Sequence, residues 1–275
     1  HPQLIGDFVW SAWDYLGEAC IGDWTYHSYK GLPLLAGQGM IDITGKPLAP
    51  MYFMQIVWGL RKKPFIGVRP VNHAKEAPST GAWQFTNAID SWSWQGFEGT
   101  KATVEVYADA VAVRLKLNDS EVGTQPVKKY KALFKLAYKS GTLMAEALDE
   151  QGKVISSHSL TTAGTETVLT VKPDKTVLRA NNQDLCYLPI EFTDRAGNLK
   201  PYVEQRVEIE VSGAATLAGF GSALCKTDEV FDKNDHNSYR GRVLAVLRAG
   251  NTPGKAVITV NSTGMEPVTV EVEVK

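Results

Sequence analysis

Two carboxylates and three aromatic rings crowd the short run Trp10-Ser11-Ala12-Trp13-Asp14-Tyr15-Leu16-Gly17-Glu18. Asp14 and Glu18, close in sequence and beside aromatic side chains, are residue types that could act as general acid and base. The plainer alternative is that both shape the loop by hydrogen bonding, because carboxylates carried on one loop hold catalytic geometry poorly. Just upstream, Leu4-Ile5-Gly6-Asp7-Phe8-Val9-Trp10 is an apolar run of buried-strand type that empties into a long loop, not a tight hairpin. A strand of a (β/α)8 barrel delivers functional side chains in this way.

The elements that must position this loop follow it. Gly45-Lys46-Pro47 opens a helix that proline can enter at its first turn, and Met51, Met54, Val57, Trp58 and Leu60 recur at helical spacing. Arg61-Lys62-Lys63 complements the helix dipole, and Pro64 stops the helix. Strand, loop and helix make one βα unit over residues 1–64. Its strand edge and apolar helix face cannot be buried by the unit alone, so it reads as the end of a barrel begun upstream. An exposed unit of this kind is also expected to self-associate.

All seven tryptophans precede residue 95, and beyond it the pattern changes to a period of two. Residues 103–107, 111–117, 133–138, 142–149 and 154–160 read as strands joined by polar turns, which predicts an immunoglobulin-like β-sandwich over 65–163. A second set, from about 168 through 185–193, 207–211, 243–247, 256–260 and 268–274, predicts another sandwich over 164–275, with the small polar segment 161–167 as the joint. The fold class is therefore mostly β: two immunoglobulin-like sandwiches preceded by the last βα unit of a truncated barrel.

Composition narrows the function. Among 275 residues, 29 Lys and Arg offset 30 Asp and Glu for a net charge of -1, so neither nucleic acid nor an anionic membrane is an expected partner. No apolar stretch has the length of a membrane span, and His1-Pro2-Gln3 lacks the features of a signal peptide. Cys20, Cys186 and Cys225 fit neither a disulfide framework nor a zinc site and read as small hydrophobes, with a Cys186–Cys225 pair left open. His73, His158 and His236 have no ligand spacing and read as surface or loop residues. Neither metal nor cofactor is expected. Ala218-Gly219-Phe220-Gly221-Ser222 lacks the Lys-Ser/Thr ending of a phosphate loop and reads as a backbone turn. Trp92 and Trp94 alternate and could stack on a sugar, although burial under a sheet is the stronger reading.

Several of these segments together resemble the carboxyl-terminal portion of bacterial glycoside hydrolase family 2 enzymes, most closely the large β-galactosidases. Phe8-Val9-Trp10 with Asp14-Tyr15-Leu16-Gly17-Glu18 is similar to the eighth barrel strand and its loop. Ile41-Asp42-Ile43-Thr44-Gly45-Lys46-Pro47 is similar to the entry of the last barrel helix. Trp92-Ser93-Trp94 and Leu115-Lys116-Leu117-Asn118 resemble the first accessory β-domain, and Leu188-Pro189-Ile190-Glu191-Phe192 and Ala218-Gly219-Phe220-Gly221 the bacterial immunoglobulin-like domain after it.

The resemblance implies a parent that cleaves terminal β-galactosides with retention, and a periplasmic or secreted location. It also implies that both catalytic glutamates lie upstream, so this chain carries no catalytic residue and is inactive alone. Trp10 would line the pocket for the sugar being cleaved, with Asp14 in the same loop. Trp13, Trp24 and His27 share that loop and belong either to the substrate cleft or to ordinary core. The competing reading is a non-catalytic carbohydrate-binding or adhesive β-sandwich protein, against which the βα unit argues.

Overall fold

Alternating apolar residues in Lys101–Tyr107 and Thr142–Leu148 put Val104, Val106, Leu143 and Ala145 on inward faces, and two sheets close over them. The computed structural model describes every residue except His1, Pro2, Leu4, Asp7, Asp23 and Ala82. One sheet of this first sandwich joins Phe65–Val68, Lys101–Tyr107 and Lys131–Ala137; the other runs in the order Val154–Thr161, Thr142–Leu148, Ala112–Leu117, Ser120–Pro126, all antiparallel. Trp92 and Trp94 are wholly buried in its core, where the Trp92 indole donates to the Lys139 carbonyl at 2.9 Å.

The second sandwich pairs Val168–Val171, Leu185–Thr193, Arg242–Ala249 and Ala215–Gly221 in one sheet. Val177–Leu178, Val268–Val274, Gly254–Ser262, Arg206–Gly213 and Asp235–Asn237 form the other. Leu188, Ile190, Phe192, Leu247, Ile258 and Val260 are fully buried between them. The segment read as a glycine-rich turn is the end of strand Ala215–Gly221, with a register shift between Leu217 and Gly219. Gly221 is required there because a Cβ would strike the Phe231 ring. The two sandwiches are pinned at the segment between them. Ser93 Oγ accepts from the Ala163 amide at 2.9 Å, Gln95 donates to the Gly164 carbonyl at 2.9 Å, and the Gly164 amide donates to Asp194 at 2.7 Å.

At the amino end the expected helix is present, and Leu4 and Asp7 of the expected strand lie outside the described residues. Ile5, Gly6 and residues 8–10 belong to no strand ladder, and Ile5, Phe8 and Trp10 are 106, 99 and 65% exposed. A parallel barrel strand takes its hydrogen bonds from a neighbour on each edge, and among the described residues the sheets place none there. The helix spans Ala49–Val57, shorter than expected, and ends before the basic residues. Gly59, at φ 69°, closes it: its amide donates to Ile56 at 3.0 Å and the Leu60 amide to Gln55 at 2.8 Å, a Schellman arrangement. The buried face also differs. Ala49, Tyr52, Phe53 and Ile56 pack on Phe65, Ala88 and Tyr107, with Tyr52 stacked on Phe65 at 4.4 Å. Trp58 and Leu60 from the expected apolar stripe are instead 72 and 80% exposed.

The cysteines form a different pair from the one left open. Cys20 and Cys225 are joined by a disulfide, with Cα atoms 5.9 Å apart, whereas Cys186 is a buried free thiol. His236 is fully buried, stacked on Phe231 at 5.9 Å. His73 stacks on Tyr26 at 4.1 Å.

Candidate functional site

The loop after Trp10 is backed by residues 34–41. Ser11 and Ala12 carbonyls accept from Met40 and Ile41 at 3.0 and 2.9 Å, Asp14 donates to Ile41 at 2.8 Å, and Gly17 donates to Leu34 at 2.7 Å. Gly39 permits the approach, since a Cβ there would collide with the Asp14 backbone.

On this support four side chains converge. Trp10 Nε1 donates to the Tyr15 hydroxyl at 2.9 Å, and the two rings meet edge to face at 6.1 Å. The Tyr15 hydroxyl donates to the Glu18 carboxylate, and the Gln38 amide donates to Tyr15 and, at 3.3 Å, to Glu18. The hydrogen bond to Glu18 raises the Tyr15 pKa above its usual value, which keeps the phenol protonated. The peptide joining Trp10 and Ser11 is cis. Glu18, Ala19 and Cys20 follow with φ of 56, 49 and 59°, a left-handed run that costs non-glycine residues about 1–2 kcal/mol each. A left-handed run of this kind persists only where its surroundings over-determine it, and such runs concentrate at functional sites.

The other sequence candidates lie around this cluster in different settings. Asp14 is buried, accepts from the Gly37 amide at 2.8 Å, and lines a polar cavity of about 30 Å³ with Asp42, Arg240 and Arg242, room for about one water. Burial is the largest influence on its carboxyl and raises its pKa despite the amides that stabilise the anion. Asp14 and Glu18 thus differ in surroundings and share no hydrogen bond. Trp13 is 54% exposed, with its six-membered ring beside Gly45.

Trp24 sits deeper, under the Arg69 guanidinium at 4.9 Å, and its indole donates to the Gln84 carbonyl at 3.3 Å. Arg69 in turn ion-pairs at 2.7 Å with the fully buried Glu105, which Lys131 also meets at 3.1 Å. Burial would raise the Glu105 pKa, but Lys131 and Arg69 outweigh it and hold the carboxyl below its usual range. Trp24 is thereby fastened to the first sandwich. His27 is exposed, and its carbonyl accepts from Lys30 Nζ at 2.7 Å. Among the described residues no three His, Cys, Asp or Glu are arranged to hold a metal ion.

Sequence reasoning missed Gln38 and the Cys20–Cys225 pair. The flanking glycines of Gly37-Gln38-Gly39 were the only local signal for the first, and for the second there was none.

Residues 169–271 match the family model described as glycoside hydrolase family 2 C-terminal domain 5, and 99–156 match a domain of unknown function, DUF4982. The whole chain superposes on a glycosyl hydrolase family 2 member from Bacteroides cellulosilyticus with TM-score 0.87 and 28% identity, covering 100% of this chain and 36% of that one. Residues 169–271 thus match a carboxyl-terminal domain of glycoside hydrolase family 2, and the chain as a whole is similar to the carboxyl-terminal part of that family's enzymes.

Among family relatives, the β-galactosidase BoGH2A of Bacteroides ovatus is 25% identical over 98% of this chain and 28% of its own length. A protein named putative β-glucuronidase from Formosa agariphila is 27% identical over 94% of this chain and 23% of its own. The chain therefore spans less than a third of either curated relative, and their names differ in the sugar.

Proposed function

We propose that this chain is the carboxyl-terminal part of a retaining β-galactosidase-type hydrolase acting on terminal β-galactosides, and that Trp10 forms one wall of its sugar pocket. Residues 1–64 are the last βα unit of its barrel, and 65–163 and 164–275 are immunoglobulin-like accessory sandwiches. The observation that carries this reading is the Trp10–Tyr15–Glu18–Gln38 cluster: an indole 65% exposed, fixed at its Nε1 edge, beside a carboxylate and an amide. An indole face suits the apolar side of a pyranose, and Glu18 and Gln38 suit its hydroxyls. Glu18 also favours a neutral hexose, because a uronate carboxylate beside it would be repelled.

In the retaining reaction one carboxyl group protonates the leaving oxygen while a second, about 5 Å away, attacks the anomeric carbon; water then releases the sugar from the covalent intermediate. Buried Asp14 and exposed Glu18 do not form such a pair, and the chain alone is inactive. The barrel assignment is supported by the bare apolar side chains Ile5, Trp58 and Leu60, which suit burial against further barrel elements. The Cys20–Cys225 disulfide supports an oxidising compartment, periplasmic or extracellular.

The test is hydrolysis of chromogenic β-galactoside and β-glucuronide by this chain and by the protein extended upstream through its barrel. Cleavage of the galactoside by the extended protein alone is expected. Cleavage by the short chain, or a preference for the glucuronide, would overturn the corresponding part of the reading.

A further inference from the structure

We propose that Cys20 and Cys225 are positioning residues for the Trp10–Tyr15–Glu18 cluster, through which the second sandwich sets the shape of the pocket; this rests on reading that cluster as a sugar site. Glu18, whose carboxylate receives the Tyr15 hydroxyl, belongs to the left-handed run that ends at Cys20. Such a run of non-glycine residues does not hold itself. Within the loop, the Cys20 amide donates to Leu35 at 2.8 Å and the Ile21 amide to Glu18 at 3.0 Å.

The Gly17 and Gly22 amides on either side of the run donate to the Leu34 and Ala36 carbonyls at 2.7 and 2.9 Å, and the covalent restraint comes from Cys225, 205 residues away and 1% exposed. Its sulfur binds one arm of the loop through Cys20, and its carbonyl takes the other, accepting from Leu34 and Leu35 amides at 2.8 and 3.3 Å. The grip continues along the chain. Leu32–Pro33 pairs with Lys226–Thr227, the Leu32 amide donates to Asp228 at 3.1 Å, and Gly31, at φ 113°, leaves no room for a Cβ against Thr227. Both arms that frame Tyr15, Glu18 and Gln38 are therefore held by one short segment of the second sandwich. Without the bridge, Glu18–Cys20 can relax toward right-handed backbone, Glu18 leaves Tyr15, and Trp10 loses the fixed partner of its indole N–H.

Two readouts test this. In the 275-residue chain, hydrogen exchange is compared for wild type, the Cys20→Ser/Cys225→Ser variant and wild type reduced with dithiothreitol. That reagent delivers two electrons and two protons to the bridge and leaves as its cyclic disulfide. Exchange across residues 14–22 is expected to rise at least about tenfold while strand Leu185–Thr193 keeps its protection. Unchanged exchange at 14–22 would overturn the proposal. In the upstream-extended protein, well below its melting temperature, KM for the β-galactoside is expected to rise about tenfold, with kcat changed less, and to recover when reduced wild type is reoxidised. A bridge that only staples the fold would leave KM unmoved, which also overturns the proposal. If the extended wild type cleaves no β-glycoside, the sugar-site reading has failed, and the exchange experiment still decides whether the two cysteines hold the loop.

Discussion

The second sandwich and the amino-terminal unit use similar apolar residues to opposite effect. Phe192, Ile190 and Ile258 are fully enclosed between two sheets, whereas Ile5, Trp58 and Leu60 are 106, 72 and 80% exposed. The difference lies in closure. A sandwich supplies both faces of its core from its own strands, while the βα unit proposed for residues 1–64 would supply one edge and one face and leave the rest to neighbours. The helix Ala49–Val57 and its end show both situations at once: Tyr52, Phe53 and Ile56 are packed on the first sandwich, while Trp58 and Leu60, just past the last helical residue, are bare.

The sharpest way to break this comparison is by core truncation. Phe192→Ala should cost about 3–5 kcal/mol, whereas Ile5→Ala should change stability by no more than about 0.5 kcal/mol, both measured by denaturant unfolding. A comparable loss at Ile5 would mean that the amino end has a core of its own. At the assembly level, residues 1–275 should self-associate in sedimentation runs, and do so less when Trp58 and Leu60 are both replaced by serine. Equal behaviour would count against the barrel assignment.

A third test separates the first sandwich by its buried charge. Glu105 has its pKa held below the usual 4.5, so its stabilising contribution is fully present above that pH and is lost as pH falls through the lower folded value. Acid unfolding monitored below about pH 4.5 should show this loss, and Glu105→Gln should flatten that part of the profile. The smallest effect is local. Glu18→Gln removes the charged acceptor that raises the Tyr15 pKa, so the phenol should titrate lower, as read by NMR of tyrosine labelled at Cζ. No change would mean that the cluster is not coupled in solution.

What was legible in the sequence follows from the same contrast. Strands such as Leu185–Thr193 announce themselves because burial alternates residue by residue, a signal contained within each segment. The helix face was misread because spacing alone shows that Met51, Met54, Val57, Trp58 and Leu60 share a side, not which side meets Phe65 and Tyr107. Its end was misplaced because Gly59 closes it before Pro64 is reached. His236 read as a surface residue, yet strand Asp235–Asn237 turns it under Phe231. Trp10 could be singled out from its motif for the proposed site, but Gln38 and Cys225 join its cluster only by folding, the latter across 205 residues. Contacts of that kind have no local period to reveal them.

The most direct test of the contrast is hydroxyl-radical footprinting of Ile5, Trp58 and Leu60 in the 275-residue chain and in the upstream-extended protein. Heavy labelling in the short chain and protection in the extended one is the expected result. Equal labelling in both would contradict the claim that these side chains belong to the interior of a completed barrel.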